Sequence, residues 1–278
     1  MLKSTPVVRL ARLALIASGL LLAQAALADD FIKGGEEKFI FNLGGIVNQF
    51  DTSFGLNGSS QEGTTINLEN GGLNKSLTSW QAAGTWRWAE HHRSDFLYFG
   101  ATRNGSRTYD HDITIGDNVI PVGFKVDAEA KDQFFWVDYR YSFVKNETLD
   151  FAGVLGIYGG NFKFNVTGTG TDEGGTRTIN SSSSTTVPLP LIGASVDWYV
   201  QPRWKVQSAL TGMSAKIGNV DGNAYLFQLG TDYMITRNWG LGLSYLYTRI
   251  NVDVTQSGFN GKIDWSSNAV LAYATLKF

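Results

Sequence analysis

The sequence predicts an all-β protein: a closed antiparallel transmembrane β-barrel of about ten strands, preceded by a cleavable signal peptide. Three observations predict it. The chain opens on a positively flanked apolar leader. Strand-length segments with one apolar face follow one another to the C-terminus. The connections between them alternate between short and long.

The leader has three parts. Lys3, Arg9 and Arg12 make a positive start, and Leu13 to Leu22 is an apolar run broken only by Ser18 and Gly19. Ala26-Leu27-Ala28 then fits a small-x-small cleavage pattern ahead of Asp29-Asp30. Such a segment is a secretory signal peptide, too short and wrongly flanked for a permanent span. No Cys follows the run, so no lipoprotein anchor is expected. Cleavage is expected near Ala28, which divides the chain into a signal peptide, 1–28, and one barrel domain, 29–278.

Composition narrows the class. The chain carries 23 Lys+Arg against 25 Asp+Glu, a net of -2. Losing residues 1–28 removes three basic groups and no acid, leaving 20 against 25, or -5. That mild acidity gives no reason to expect a nucleic-acid partner. With Cys at 0, neither a disulfide framework nor a thiolate metal site is available. Gly at 32 and aromatics at 13%, without helix-forming runs, point to β structure. After residue 28 no apolar run is long enough for a membrane helix, so a membrane-spanning reading requires a closed barrel.

Ten candidate strands run Phe39–Asp51, Leu77–Ala89, Asp95–Arg107, Lys131–Phe143, Leu149–Val166, Pro188–Val200, Arg203–Lys216, Asn223–Ile235, Trp239–Val252 and Asp264–Phe278. The connections Glu90–Ser94, Val144–Thr148, Gln201-Pro202 and Thr236–Asn238 are short. Those at Thr52–Ser76, Thr108–Ala130, Thr167–Val187 and Asp253–Ile263 are longer, and Ile217 to Gly222 alone breaks the contrast. Short turns on one side and long loops on the other are expected of a barrel crossing an outer membrane, with both termini on the periplasmic side.

Alternation assigns the faces. Phe135, Val137, Tyr139, Tyr141 and Phe143 oppose Asp138, Arg140 and Ser142. Trp239, Leu241, Leu243, Tyr245 and Tyr247 oppose Gly240, Gly242, Ser244 and Thr248. The large apolar set is expected to face lipid and the polar or small set the lumen. Trp86, Trp88, Phe143, Trp198, Trp204, Trp239 and Phe278 lie near the short turns, as a membrane-interface belt requires.

The last strand carries the resemblance. Val270, Ala272, Ala274, Leu276 and Phe278 share one face, and Tyr273, Thr275 and Lys277 the other. A strand of this kind ending on Phe resembles the closing strand of small bacterial outer-membrane β-barrel proteins, the porin-like superfamily. The resemblance covers nearly the whole mature chain. It implies location in the bacterial outer membrane, outer-membrane lipid and lipopolysaccharide as surroundings, and recognition by the insertion machinery through Phe278. It implies a structural or passive small-solute transport role and no cofactor, and a monomer is expected.

Candidate site residues follow from the faces. Arg87, Asp138, Arg140, Asp197, Lys205, Asp232 and Lys277 form a mixed-sign lumen set, read as a polar plug in a narrow barrel. Arg103, Arg107, Lys216 and Arg249 lie towards the outer strand ends, where cations meet lipopolysaccharide phosphates. No catalytic or metal-binding set is read. His91, His92 and Arg93 read as a solvated turn, His111 beside Asp110 and Asp112 as an exposed loop His, and Ser181–Ser184 as a flexible loop tip. Two other classes stay open: a surface enzyme acting on lipid or peptide, and an adhesion module using the outer loops.

Overall fold

The computed structural model describes residues 31–172, 175–256 and 259–278. The leader, 1–28, lies outside them. Among the described residues thirteen strands run β1 (Phe39–Leu56), β2 (Ile66–Asn67), β3 (Ser76–Ala89), β4 (His92–Thr108), β5 (Ile113–Ile115), β6 (Asn118–Ile120) and β7 (Lys125–Lys145). They continue as β8 (Leu149–Asp172), β9 (Gly175–Gln201), β10 (Trp204–Ile217), β11 (Val220–Met234), β12 (Trp239–Gln256) and β13 (Phe259–Lys277). Ten are long, and each pairs antiparallel with its neighbours in the order β1-β3-β4-β7-β8-β9-β10-β11-β12-β13. β13 pairs back onto β1 from Ile40↔Lys277 to Leu56↔Gly261, so the ring closes. Closure leaves no edge strand in the spanning part, which lipid requires because it offers backbone groups no partner.

Each long strand overlaps one of the ten segments read from the sequence, but the connections differ. Most of Thr167–Val187 and Asp253–Ile263 is strand, not loop. Ser181–Ser184 is strand too, with Ser181 opposite Val166 and Ser184 opposite Lys163. The reason is continuity of period two. Ile179, Ser183, Thr185 and Leu189 all turn inward, so polar residues keep the ladder of β8 going beyond the apolar belt.

The faces invert part-way along the barrel. On β13, Val270, Ala272, Ala274, Leu276 and the following Phe278 point out near the short turns, opposite Thr275 and Lys277. Further along, Asn260, Lys262, Asp264, Ser266 and Asn268 point out, opposite Phe259, Ile263 and Trp265. β7 does the same: Phe135 to Phe143 outward are apolar, and Lys125, Asp127, Glu129, Lys131 and Gln133 are polar. The expectation that large apolar groups face outward therefore holds only in the lower part. The upper part extends into water, so its apolar groups turn inward as in a soluble barrel.

The lower belt is close in height to the roughly 25 Å apolar band of an outer-membrane barrel. On β1 the outward residues Phe39, Phe41, Leu43, Gly45 and Val47 precede the polar Gln49, Asp51 and Ser53. Eight residue steps rise about 27 Å along the strand, or about 21 Å along the axis at a tilt of about 40°. Trp86, Trp88, Phe143, Trp198, Trp204, Trp239 and Phe278 are exposed at the lower rim, and Trp80, Tyr98 and Tyr245 ring the upper. Leu43, 63% exposed, sits midway. Leu43→Arg is expected to cost about 2–4 kcal/mol in vesicle-refolded protein, and Gln49→Arg less than about 0.5 kcal/mol, by urea titration. Equal costs would misplace the belt.

Candidate functional site: the barrel interior

Period two aims a column of charged side chains into the lower lumen. Arg87 pairs with Asp150 at 2.8 Å, and Arg93 bridges Asp150 at 3.4 Å and Asp197 at 2.8 Å. Arg140 holds Asp138 at 3.0 Å and Asp95 at 2.9 Å. Lys205 meets Asp232 at 3.1 Å, and Lys277 meets Glu37 at 3.8 Å. Neutral donors complete the net. Trp136 Nε1 donates to Asp138 at 2.6 Å, Tyr273 Oη to Asp232 at 2.6 Å and Tyr199 Oη to Glu37 at 3.2 Å. Gly242 lets this happen: a Cβ there would meet the Tyr273 ring at 2.2 Å, so the ring lies flat across the strand. Five cations thus face six carboxylates within this network.

Above the net lies a cavity of about 80 Å³, lined by Asn42, Gln81, Asp95, Arg140, Gln207, Gln228, Ser244 and Tyr273 among others. Above that the interior is largely apolar, around one buried ion-pair cluster of Arg103 with Glu69 and Asp132. Trp265, Phe134 and Phe162 pack as tilted or edge-on rings, with Phe134 to Trp265 at 4.7 Å and Phe134 to Phe162 at 5.4 Å. The β5–β6 hairpin adds Ile113, Ile115 and Ile120, all buried in the same cluster.

The connection between β1 and β3 completes the wall. β3 pairs with β4 only as far as Gln81↔Phe99. Beyond that, Leu73 bridges Gly105 and Asn74 N donates to Asn104 O at 3.2 Å. On the other side Leu68 N donates to Thr52 O and Phe50 N to Lys75 O, both at 2.8 Å. Gly72 turns the segment with φ of 96°, and a Cβ there would strike Ser106 O at 2.5 Å. Glu69 enters the barrel as the fastener. It accepts from Thr52 N at 2.7 Å and from Arg103, which also holds Asp132 at 3.1 Å and lies 4.3 Å over the Phe50 ring. At the mouth, Ser59 donates its hydroxyl and N–H to Asp117, both at 2.7 Å, and these bonds hold that carboxyl below its ordinary pKa.

The wall opens differently between β9 and β10. Their ladder ends at Ile192↔Gly212, while β8 stays paired with β9 to Asp172↔Gly175. Pro188 and Pro190 share the parity of Ile192 and have no N–H. The β8 ladder passes both prolines unbroken, so their nitrogens lie on the β10 side. The next two donors β10 would need are missing there.

All seven residues of the proposed lumen set, Arg87, Asp138, Arg140, Asp197, Lys205, Asp232 and Lys277, are buried inside the ring. Sequence reasoning missed Glu37, Asp95, Asp150 and Arg93 in the same net. Arg93 is not a solvated turn residue: it is buried between two carboxylates. Parity was the available signal, since Arg93 and Asp95 alternate with the outward Phe96 and Tyr98. Of the outer cations, Arg103 is corrected. It is 0% exposed and points inward, so it meets no lipopolysaccharide. Arg107, Lys216 and Arg249 are exposed, with Lys216 near Asp221 at 3.7 Å and Arg249 near Asp264 at 3.4 Å. His91 Nδ1 lies 2.8 Å from Ser142 O, and His92 stacks on Trp88 at 4.8 Å, so both belong to the lower rim. His111 meets the exposed Asp110 at 2.7 Å and the half-buried Tyr109 ring edge-on.

A closed antiparallel ring with an apolar belt, aromatic rims and a charged lower lumen is the fold of bacterial outer-membrane β-barrel proteins. The structure of the outer-membrane protease OmpT from Escherichia coli matches with a TM-score of 0.57 at 10% identity, covering 90% of this chain and 99% of that chain. OprG from Pseudomonas aeruginosa matches with a TM-score of 0.36 at 13% identity, covering 90% of this chain and 98% of that chain. At 10% identity the likeness to OmpT is one of fold alone. The Autotransporter beta-domain family matches residues 191–278, the end of β9 and the strands β10 to β13. No curated protein matches.

Proposed function

We propose that the chain is an integral protein of the bacterial outer membrane with a structural or passive small-solute role, and that the resting barrel does not conduct. One observation carries the reading: the lumen is filled twice, by the ion-pair net below and by the Trp265–Phe134–Phe162 cluster above. Between them lies a cavity of about 80 Å³, space for a few waters and not a column of them. The filled interior favours the structural half of the proposal. Signal-peptide removal near Ala28, insertion through the strand ending at Phe278, and a monomer in lipid belong to the same reading. Arg107, Lys216 and Arg249 stand on the outward side, where they would meet lipopolysaccharide phosphates.

Planar-bilayer recording on folded protein tests this. The expected result is a baseline without stable single-channel steps at ±100 mV. Large, long-lived steps would show a water-filled path and overturn the resting-state proposal.

A further inference from the structure

We infer that the mid-barrel cavity is a binding site for a monovalent cation, with Asp95 as its charged ligand. The cavity is lined by side chains whose acceptor oxygens have no hydrogen-bond partner among protein atoms: Gln81 Oε1, Asn42 Oδ1 and Asp95 Oδ1. Gln81 is only 4% exposed, so its free oxygen cannot be satisfied by bulk water. A buried acceptor left unmade is costly, and three around one space call for an occupant that accepts lone pairs. Alternate positions on the adjoining strands carry them, Asn42 on β1, Gln81 on β3 and Asp95 on β4, with the small Ala83 and Thr85 between.

Charge points the same way. Arg140, which also lines the cavity, is shared between Asp95 and Asp138, one guanidinium against two carboxylates, and the ion pairs described for the lower net set five cations against six carboxylates. A low-dielectric interior tolerates that surplus only when a positive charge or a proton compensates it. The occupant's chemistry follows from the ligands. All are hard oxygens, which suit alkali and alkaline-earth ions rather than soft metals. One free carboxylate oxygen, Asp95 Oδ1, lines the cavity, which suits a single positive charge. The volume of about 80 Å³ holds the ion with part of its water shell.

The experiment compares thermal unfolding of folded, detergent-solubilised protein in KCl, NaCl and N-methyl-glucamine chloride at equal ionic strength. The bulky organic cation does not fit the cavity. At an alkali-ion concentration about tenfold above Kd, the midpoint should rise by about 3–6 °C over the organic salt. Asp95→Asn should abolish that difference, whatever it does to the absolute midpoint, and the uncharged change Gln81→Leu should reduce it. Thallium(I) soaked into crystals should give anomalous density between Asn42, Gln81 and Asp95. Equal midpoints for wild type in all three salts would mean that waters or a proton fill the role, and would overturn the inference. A salt difference that survives Asp95→Asn would place the ion elsewhere and overturn it too.

Discussion

Arg103→Ala is expected to destabilise the folded barrel by about 3–5 kcal/mol, read as a drop in the urea midpoint of vesicle-refolded protein. The side chain is fully buried and stands between two carboxylates, Glu69 on the β1–β3 connection and Asp132 on β7. Removing it leaves two negative charges in an apolar surround, beside Phe50, without the cation that pairs with both. The loss is one of uncompensated charge, and that makes a second outcome predictable. Arg103→Met combined with Glu69→Gln and Asp132→Asn removes every charge at once and should recover most of the stability. If the triple variant stays as weak as Arg103→Ala, the guanidinium acts through its hydrogen bond to Thr52 at 3.1 Å and its packing, not its charge.

The consequence reaches beyond stability. Glu69 ties down the segment that completes the wall between β1 and β4, so the same ion pair decides whether the upper barrel is closed. A weakened Arg103–Glu69 pair should expose Leu68 and Leu73, which the segment now buries. Protease cleavage near Glu69 in the Arg103→Ala variant would report that opening without any need for conductance.

How far these features were legible depends on what period two can say. Alternation finds a strand whatever its surroundings, and all ten long strands were visible from it. It also separates two faces, as on β13, where Tyr273, Thr275 and Lys277 stand apart from Val270 and Ala272. It does not say which face is wet. On the last strand the outward set changes from Asn268 to Val270 with no break in period, because the environment changes there and the backbone does not. Arg103 was misplaced for this reason: its height along β4 was legible and its side was not, since β4 carries apolar residues on both faces. Glu69 left no periodic trace at all, because it sits in an irregular connection fixed by long-range contacts. The Ser181–Ser184 run misled in another way. Its residues favour turns locally, but twenty-four consecutive pairings with β8 override that preference.

The inverted upper half makes the second large effect. Trp265→Ala is expected to cost about 3–5 kcal/mol, because it empties the centre of a packed apolar core. Trp265 is fully buried and lies 4.7 Å from the Phe134 ring and 5.9 Å from Phe50. Trp80→Ala removes an equally large ring from the outward face, where lipid refills the space. It should cost about 0.5–1.5 kcal/mol, the scale of its one ring pair with Tyr98 at 5.6 Å. The comparison tests what holds the barrel together. In a barrel supported by the bilayer alone, the outward Trp would matter at least as much as the inward one. Here β8 and β9 reach well past the belt, and the upper wall is split between β9 and β10, so that part must be held from inside. Urea titrations giving Trp80→Ala the larger loss would show that the upper core is incidental, and that the lower ion-pair net and the lipid carry the fold.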